Sequence, residues 1–269
     1  MPAGACDAHC HIFGPAARFP YAPSRSYQPA ETPLERYRRT AGALGLSRAV
    51  FVQPAVYGED HAAILDALRR GEGAYAGVGI IGDAMAGQAL KELDRAGFRG
   101  ARFNYVGHLG GKPSRDQVRR TVDRVGPLGW HLVVHVDAAA LEEEAEFFAA
   151  LPCPLVIDHM ARLDAGAGTG QPAFGTLLQL AALPHVWVKL SAADRMTGAD
   201  GLADAAPFMA ALADTAPSRT LWGTDWPHPN IRWMPDDGDL LDLLALAVPG
   251  EGARRAILVD NPARLYGFN

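Results

Sequence analysis

The sequence lacks the features that would place a protein in a membrane, outside the cell or on a polyanion. It has no window of about 18 apolar residues and no charged-then-apolar leader at its N-terminus, so neither a membrane span nor a signal peptide is expected. Cysteine is scarce: Cys6, Cys10 and Cys153 form an odd number in no framework spacing. That argues against a disulfide scaffold and predicts packed thiols in a reducing, cytoplasmic compartment. Positive charge is in deficit, with 25 Lys and Arg against 30 Asp and Glu, a net charge of −5 and a pI near 6.0. Without a basic field, neither nucleic acid nor an anionic membrane is expected as a partner, which leaves a small molecule. Internal repeats and low-complexity segments are absent too.

What is present is a long, mixed chain. With 269 residues, 49% of them hydrophobic and 20% charged, it can bury one large core as a single domain over residues 1–269. Short apolar runs alternate with helical stretches. Strands are predicted around Asp7–His11, Arg48–Gln53, Tyr75–Ile81, Gly100–Tyr105, Trp130–Val136, Leu155–His159, Val186–Leu190 and Thr220–Gly223, each followed by a helix. Thr32-Pro33-Leu34-Glu35 reads as a capping box with Thr32 as N-cap. The Pro- and aromatic-rich stretch from Phe13 to Glu31 is too long for an ordinary connection and suits a wall or lid. Eight strand-then-helix units predict a (β/α)8 TIM barrel, whose active site lies at the C-terminal ends of its strands.

Polar residues do cluster at those ends. By strand alternation Asp7, His9 and His11 share one face, so the two imidazoles can grip one metal ion or one substrate from the same side. A pair of buried, hydrogen-bonded histidines is the plainer alternative for this short motif. Strand four carries Arg102 and Asn104 on one face, strand six ends in Asp158-His159, and strand eight runs into Asp225. His131 and His135 share a face of strand five about 13 Å apart, at ~3.3 Å per residue, which puts His135 at the mouth and His131 near the floor. Lys189 and Ser191 face the barrel, and a salt-bridged structural role is the favoured reading for the lysine. Asp158, opposite His159 by alternation, is expected to bond behind the barrel wall. Tyr57 and His228 fall in mouth loops as substrate contacts.

These residues resemble the amidohydrolase superfamily. The segments Asp7-Ala8-His9-Cys10-His11-Ile12-Phe13-Gly14-Pro15, Arg102-Phe103-Asn104-Tyr105, Ile157-Asp158-His159-Met160, Lys189-Leu190-Ser191 with Arg195, Trp222-Gly223-Thr224-Asp225-Trp226-Pro227-His228-Pro229-Asn230 and Asn261-Pro262-Ala263 are similar to the branch of 2-pyrone-4,6-dicarboxylate hydrolase and related lactonases. The resemblance implies a distorted amidohydrolase-type barrel in which Asp225 activates water, with His9, His11 and His159 around the carbonyl. It also implies that Arg102 and Arg195 hold substrate carboxylates. The chain departs from the pattern twice. His108 stands where that hydrolase has a further carboxylate-binding Arg, and His135 where it has Tyr at the end of strand five.

An imidazole replaces a bidentate guanidinium poorly, so His108 weakens the case for a dicarboxylate in the same pose while remaining a candidate substrate contact. His135 completes the set His9, His11, His135 and Asp225 that holds one ion in other superfamily members. Three imidazoles and a carboxylate suit one divalent ion, Zn2+ by donor type, with an open position for water. Asp225 would take the water's proton, the ion or a protonated His159 would meet the oxyanion, and without metal Asp225 would act on a water held by the histidines. The expected activity is opening of the lactone ring of a small anionic, carboxylated substrate in aromatic-acid or sugar-acid catabolism. The alternatives are a metal-dependent decarboxylase of the same superfamily and a non-catalytic small-acid binding protein.

Overall fold

The computed structural model describes residues 1–107 and 111–269. Eight parallel strands follow one another in a single sheet in chain order: β1 (Cys6–Cys10), β2 (Arg48–Val52), β3 (Tyr75–Gly79), β4 (Phe98–Asn104), β5 (His131–His135), β6 (Leu155–Ile157), β7 (Val186–Ser191) and β8 (Thr220–Gly223). Helices α1 (Leu34–Leu44), α2 (Ala62–Arg70), α3 (Gly87–Ala96), α4 (Arg115–Val125), α5 (Ala138–Ala149), α6 (Pro172–Ala182), α7 (Ala206–Thr215) and α8 (Asp237–Ala247) each follow a strand, and α9 (Glu251–Arg255) and α10 (Asn261–Tyr266) end the chain. Strand residues alternate between two apolar layers. Val50, Val52, Val133, Val156 and Leu221 fill the barrel, while Ala49, Phe51, Leu132 and Val134 meet the helices. No helix among the described residues is long and apolar enough to cross a membrane.

The barrel closes through its functional residues. Asp225 N donates to His9 O and His11 N donates to Trp226 O, each at 2.8 Å, stitching β1 to the chain after β8. Gly223 permits this approach, since a Cβ there would lie 2.5 Å from His9 N. Asp7 completes the seam by accepting from His9 N, Thr224 N, Thr224 Oγ1 and Tyr37 Oη at 2.7–3.3 Å.

That placement corrects the expectation that Asp7, His9 and His11 share a face. Asp7 pairs with Ala49 but Cys10 with Phe51, so β1 carries an extra residue there. The bulge turns His9 into the barrel while Asp7 points to the seam beside α1. The expected capping box is also absent: α1 starts at Leu34 after Pro33, and Thr32 instead pairs with Phe13. Tertiary pairing has taken the residue that local preference assigned to the cap.

Candidate active site

Asp225, His9, His11 and His159 converge at the barrel mouth, all at most 3% exposed. Asp225 Oδ1 lies 3.2 Å from His11 Nε2, 3.6 Å from His9 Nε2 and 3.8 Å from His159 Nε2. Each ring is oriented from behind. His11 Nδ1 lies 2.7 Å from Val52 O, so Nδ1 must donate there. Its Nε2 then faces a carboxylate oxygen at a distance that requires a proton or a cation between them. His159 Nδ1 is 2.9 Å from Ser191 Oγ, and His9 Nδ1 is 3.0 Å from Lys189 Nζ and 3.2 Å from Asp158 Oδ1.

Asp158 therefore does not sit behind the wall. β6 ends at Ile157, and residues His159 to Arg162 take left-handed φ values of 56°, 48°, 56° and 50°. Strand alternation stops applying at that point, so Asp158 and His159 both reach the barrel interior. Left-handed backbone costs an L-residue roughly 1–2 kcal/mol, and here it aims His159 and Arg162 at one cavity. Lys189 forms the expected buried salt bridge, 3.1 Å from Asp158 Oδ1 with both side chains fully buried.

Electrostatics divide the roles. Burial alone would raise the Asp225 pKa, but Arg195, His159, His11 and His9 outweigh it and hold the carboxyl well below its ordinary range. Burial pushes His159 down to about 3 against the pull of Asp225 and Asp158, with Arg195 and Arg102 helping to lower it. That shift favours the neutral imidazole near pH 7. Burial likewise takes His9 and His135 well below the usual imidazole range.

The cavity above Asp225 holds about 30 Å³. Arg102, Arg162, Arg195, His11, His135, His159 and Tyr27 line it. Arg102 donates Nη1 to Gln53 O at 3.2 Å, lies 3.7 Å from Asp158 Oδ2, and leaves Nε without a partner among the described residues. Arg195 is engaged differently from the expected clamp, with Nε and Nη2 both on Asp225 Oδ2 at 2.9 and 2.7 Å.

Arg162 went unnoticed in the sequence because its direction depends on the left-handed turn. Among the described residues it makes no ion pair and only approaches His135 Nε2, at 3.4 Å. Tyr27 comes from the Pro- and aromatic-rich stretch expected to form a wall, and burial raises its pKa to about 12. Tyr57 does not line this cavity; its hydroxyl accepts from Gly14 N at 2.7 Å and pins that stretch. His228 also lies off the cavity, 3.0 Å from Asp237 Oδ1 at the start of α8. Asn104 neighbours His135 in the sheet register but does not line the cavity, and its buried Oδ1 has no partner among the described residues. His108 lies outside the described residues.

For a metal ion, the ligand atoms that lie within 4.8 Å of one another belong to His9, His159 and Asp225. His135 is not in that group; its ring stands edge-on to His159 at 5.2 Å and its Nε2 faces Arg162. His9 Nε2, buried and without a hydrogen-bond partner among the described residues, and the close approach of His11 Nε2 to Asp225 Oδ1 are what a cation site provides.

An amidohydrolase family profile matches residues 6–268. The chain belongs to the amidohydrolase family. This amidohydrolase is 40% identical over 272 residues to the 4-sulfomuconolactone hydrolase of Hydrogenophaga intermedia, covering 99% of the chain and 90% of that protein. It is 39% identical over 277 residues to the 2-pyrone-4,6-dicarboxylate hydrolase of Comamonas testosteroni, covering 99% and 91%. Its fold matches a zinc-bound amidohydrolase of Burkholderia multivorans with a TM-score of 0.76 at 24% identity, over 99% of this chain and 100% of that one.

Proposed function

We propose that this amidohydrolase opens the ring of a small lactone bearing acid groups, in the breakdown of aromatic compounds. The observation that carries the reading is the meeting of three guanidinium groups, Arg102, Arg162 and Arg195, over one buried carboxylate base. The two curated relatives act on lactones of this kind, one sulfonated and one dicarboxylated.

The residues divide the work as follows. Arg102 and Arg162 hold the substrate's acid groups and set the carbonyl over Asp225. Water sits in the cavity beside Asp225 Oδ1 and the imidazoles, and Asp225 takes its proton as the oxygen adds to the carbonyl carbon. The ring C–O bond then breaks, and the same proton passes to the departing oxygen. Ser191 orients His159, Asp158 and Lys189 orient His9, and Tyr27 shuts bulk water out. His9, His159 and Asp225, with His11 beside them, would hold one divalent ion, Zn2+ by donor type. When bound, the ion would polarise the carbonyl and make water more acidic.

A panel of carboxylated and sulfonated lactones, assayed for ring opening with wild type and Asp225→Asn, tests the reading. Wild type should open at least one, and the variant should keep the fold by circular dichroism while losing turnover, because an amide cannot accept the proton. Wild type inert on the whole panel, or substantial turnover by well-folded Asp225→Asn, overturns it.

A further inference from the structure

Arg195 stands where two cavities meet. On one side is the space of about 30 Å³ over Asp225; on the other is a cavity of about 500 Å³, and Arg162, Arg195 and Asn230 line both. Small-molecule pockets run to about 300–1,000 Å³, so the inner space has room for water and the outer one for a lactone. Arg195 lies between them and gives two donors to one oxygen of the proposed base, Asp225 Oδ2, and that bond also weakens the base's hold on a proton.

Asp194, the preceding residue, lines the outer cavity. It is only 5% exposed, and neither of its carboxylate oxygens has a hydrogen-bond partner among the described residues. Leaving a buried carboxylate without hydrogen-bond donors is costly. Burial and then the neighbouring Asp225 charge raise its pKa to about 6, opposed first by Arg195 and then by His228 and a backbone hydrogen bond. The guanidinium thus has two carboxylates beside it, one fully engaged and one waiting for a cation.

We propose that Arg195 is a substrate-displaced gate: an anionic lactone in the outer cavity draws the guanidinium off Asp225, Asp194 receives it, and the two cavities join with the base uncovered. This rests on the lactone-hydrolase reading and adds that substrate charge acts on the base as well as on binding. Only ion pairs are exchanged. A neutral lactone of the same shape leaves Arg195 on Asp225 and turns over slowly even when saturating. Asp194 is accordingly a positioning residue, acting through Arg195.

Asp194→Asn removes the receiving charge without a change of shape. For an anionic lactone kcat should fall about tenfold, the equivalent of one charge-assisted hydrogen bond, with KM little changed. Asp194→Glu should restore most of the loss, and the methyl ester of the same lactone should lose much less. An unchanged kcat for the anionic lactone, or equal losses for both substrates, overturns the gate while leaving lactone hydrolysis standing. A measurement that needs no turnover is the crystal structure of wild type with benzene-1,3-dicarboxylate, an inert planar diacid. Arg195 moved to Asp194 supports the gate; a bound diacid with Arg195 still on Asp225 refutes it.

Discussion

Replacing Lys189 by Met should cost the fold about 3–5 kcal/mol, the range for removing one partner of a buried ion pair. The ammonium is fully buried, 3.1 Å from Asp158 Oδ1 and 3.0 Å from His9 Nδ1. Without it, Asp158 keeps a neutral His9 at 3.2 Å and Arg102 at 3.7 Å, neither of which compensates a carboxylate with no exposure to water. In wild type, burial would raise the Asp158 pKa but Lys189, the largest opposing influence, holds it well below the ordinary range. Removing Lys189 lifts it, so the variant's deficit should be largest at neutral pH and shrink as acid protonates Asp158. Asp158→Asn in the same background should recover much of the loss, because the stranded charge is gone. Urea unfolding at pH 7, read as a shift in midpoint at constant m-value, measures each variant, and the two single changes with the double give the coupling. A single-variant cost below about 1 kcal/mol, or changes that add within about 0.5 kcal/mol, would refute the claim that this pair is a mutually dependent buried unit.

Acid should unfold the protein partly through His131, which burial holds at about 3 in the fold against an ordinary imidazole value of 6.5. The unfolded chain takes up that proton first as pH drops from 6.5 to 3, so stability is lost with falling pH. At about 1.36 kcal/mol per unit the total is on the order of 5 kcal/mol. The stability gap between wild type and His131→Gln should be constant above pH 7 and shift in the variant's favour below 6; parallel pH curves would count against it. Arg102→Met and Arg162→Met should each raise KM for an anionic lactone tenfold or more, from about 1.5–3 kcal/mol per charged hydrogen bond, with a smaller rise for its neutral ester. Equal rises would make these arginines structural. Zn2+ should raise the melting temperature of chelated wild type but not of His9→Asn, and His135→Tyr should keep the response because His135 stands outside the clustered donors. A wild type with no zinc response and full activity after exhaustive chelation would remove the ion from the reading.

The barrel and most of its mouth were legible in the sequence because each rests on a local rule. Apolar runs separated by helical stretches dictate parallel strands with crossovers, and a parallel barrel presents its strand ends together. His9, His11, Arg102, His159 and Asp225 could therefore be grouped without coordinates, and Lys189 could be assigned its salt bridge. Tertiary structure decided what periodicity cannot encode. A bulge in β1 separates Asp7 from His9, and a left-handed turn after Ile157 puts Asp158, His159 and Arg162 on one side. Long-range pairing took Thr32 away from the cap, Tyr57 onto Gly14 and Arg195 onto Asp225, while a left-handed backbone at His228 accompanies its contact with Asp237. In each case the deciding contact joins residues far apart in the chain or rests on a backbone conformation that side-chain type does not announce. Sequence sets which groups can meet at a barrel mouth, and the packed fold determines which of them already hold one another.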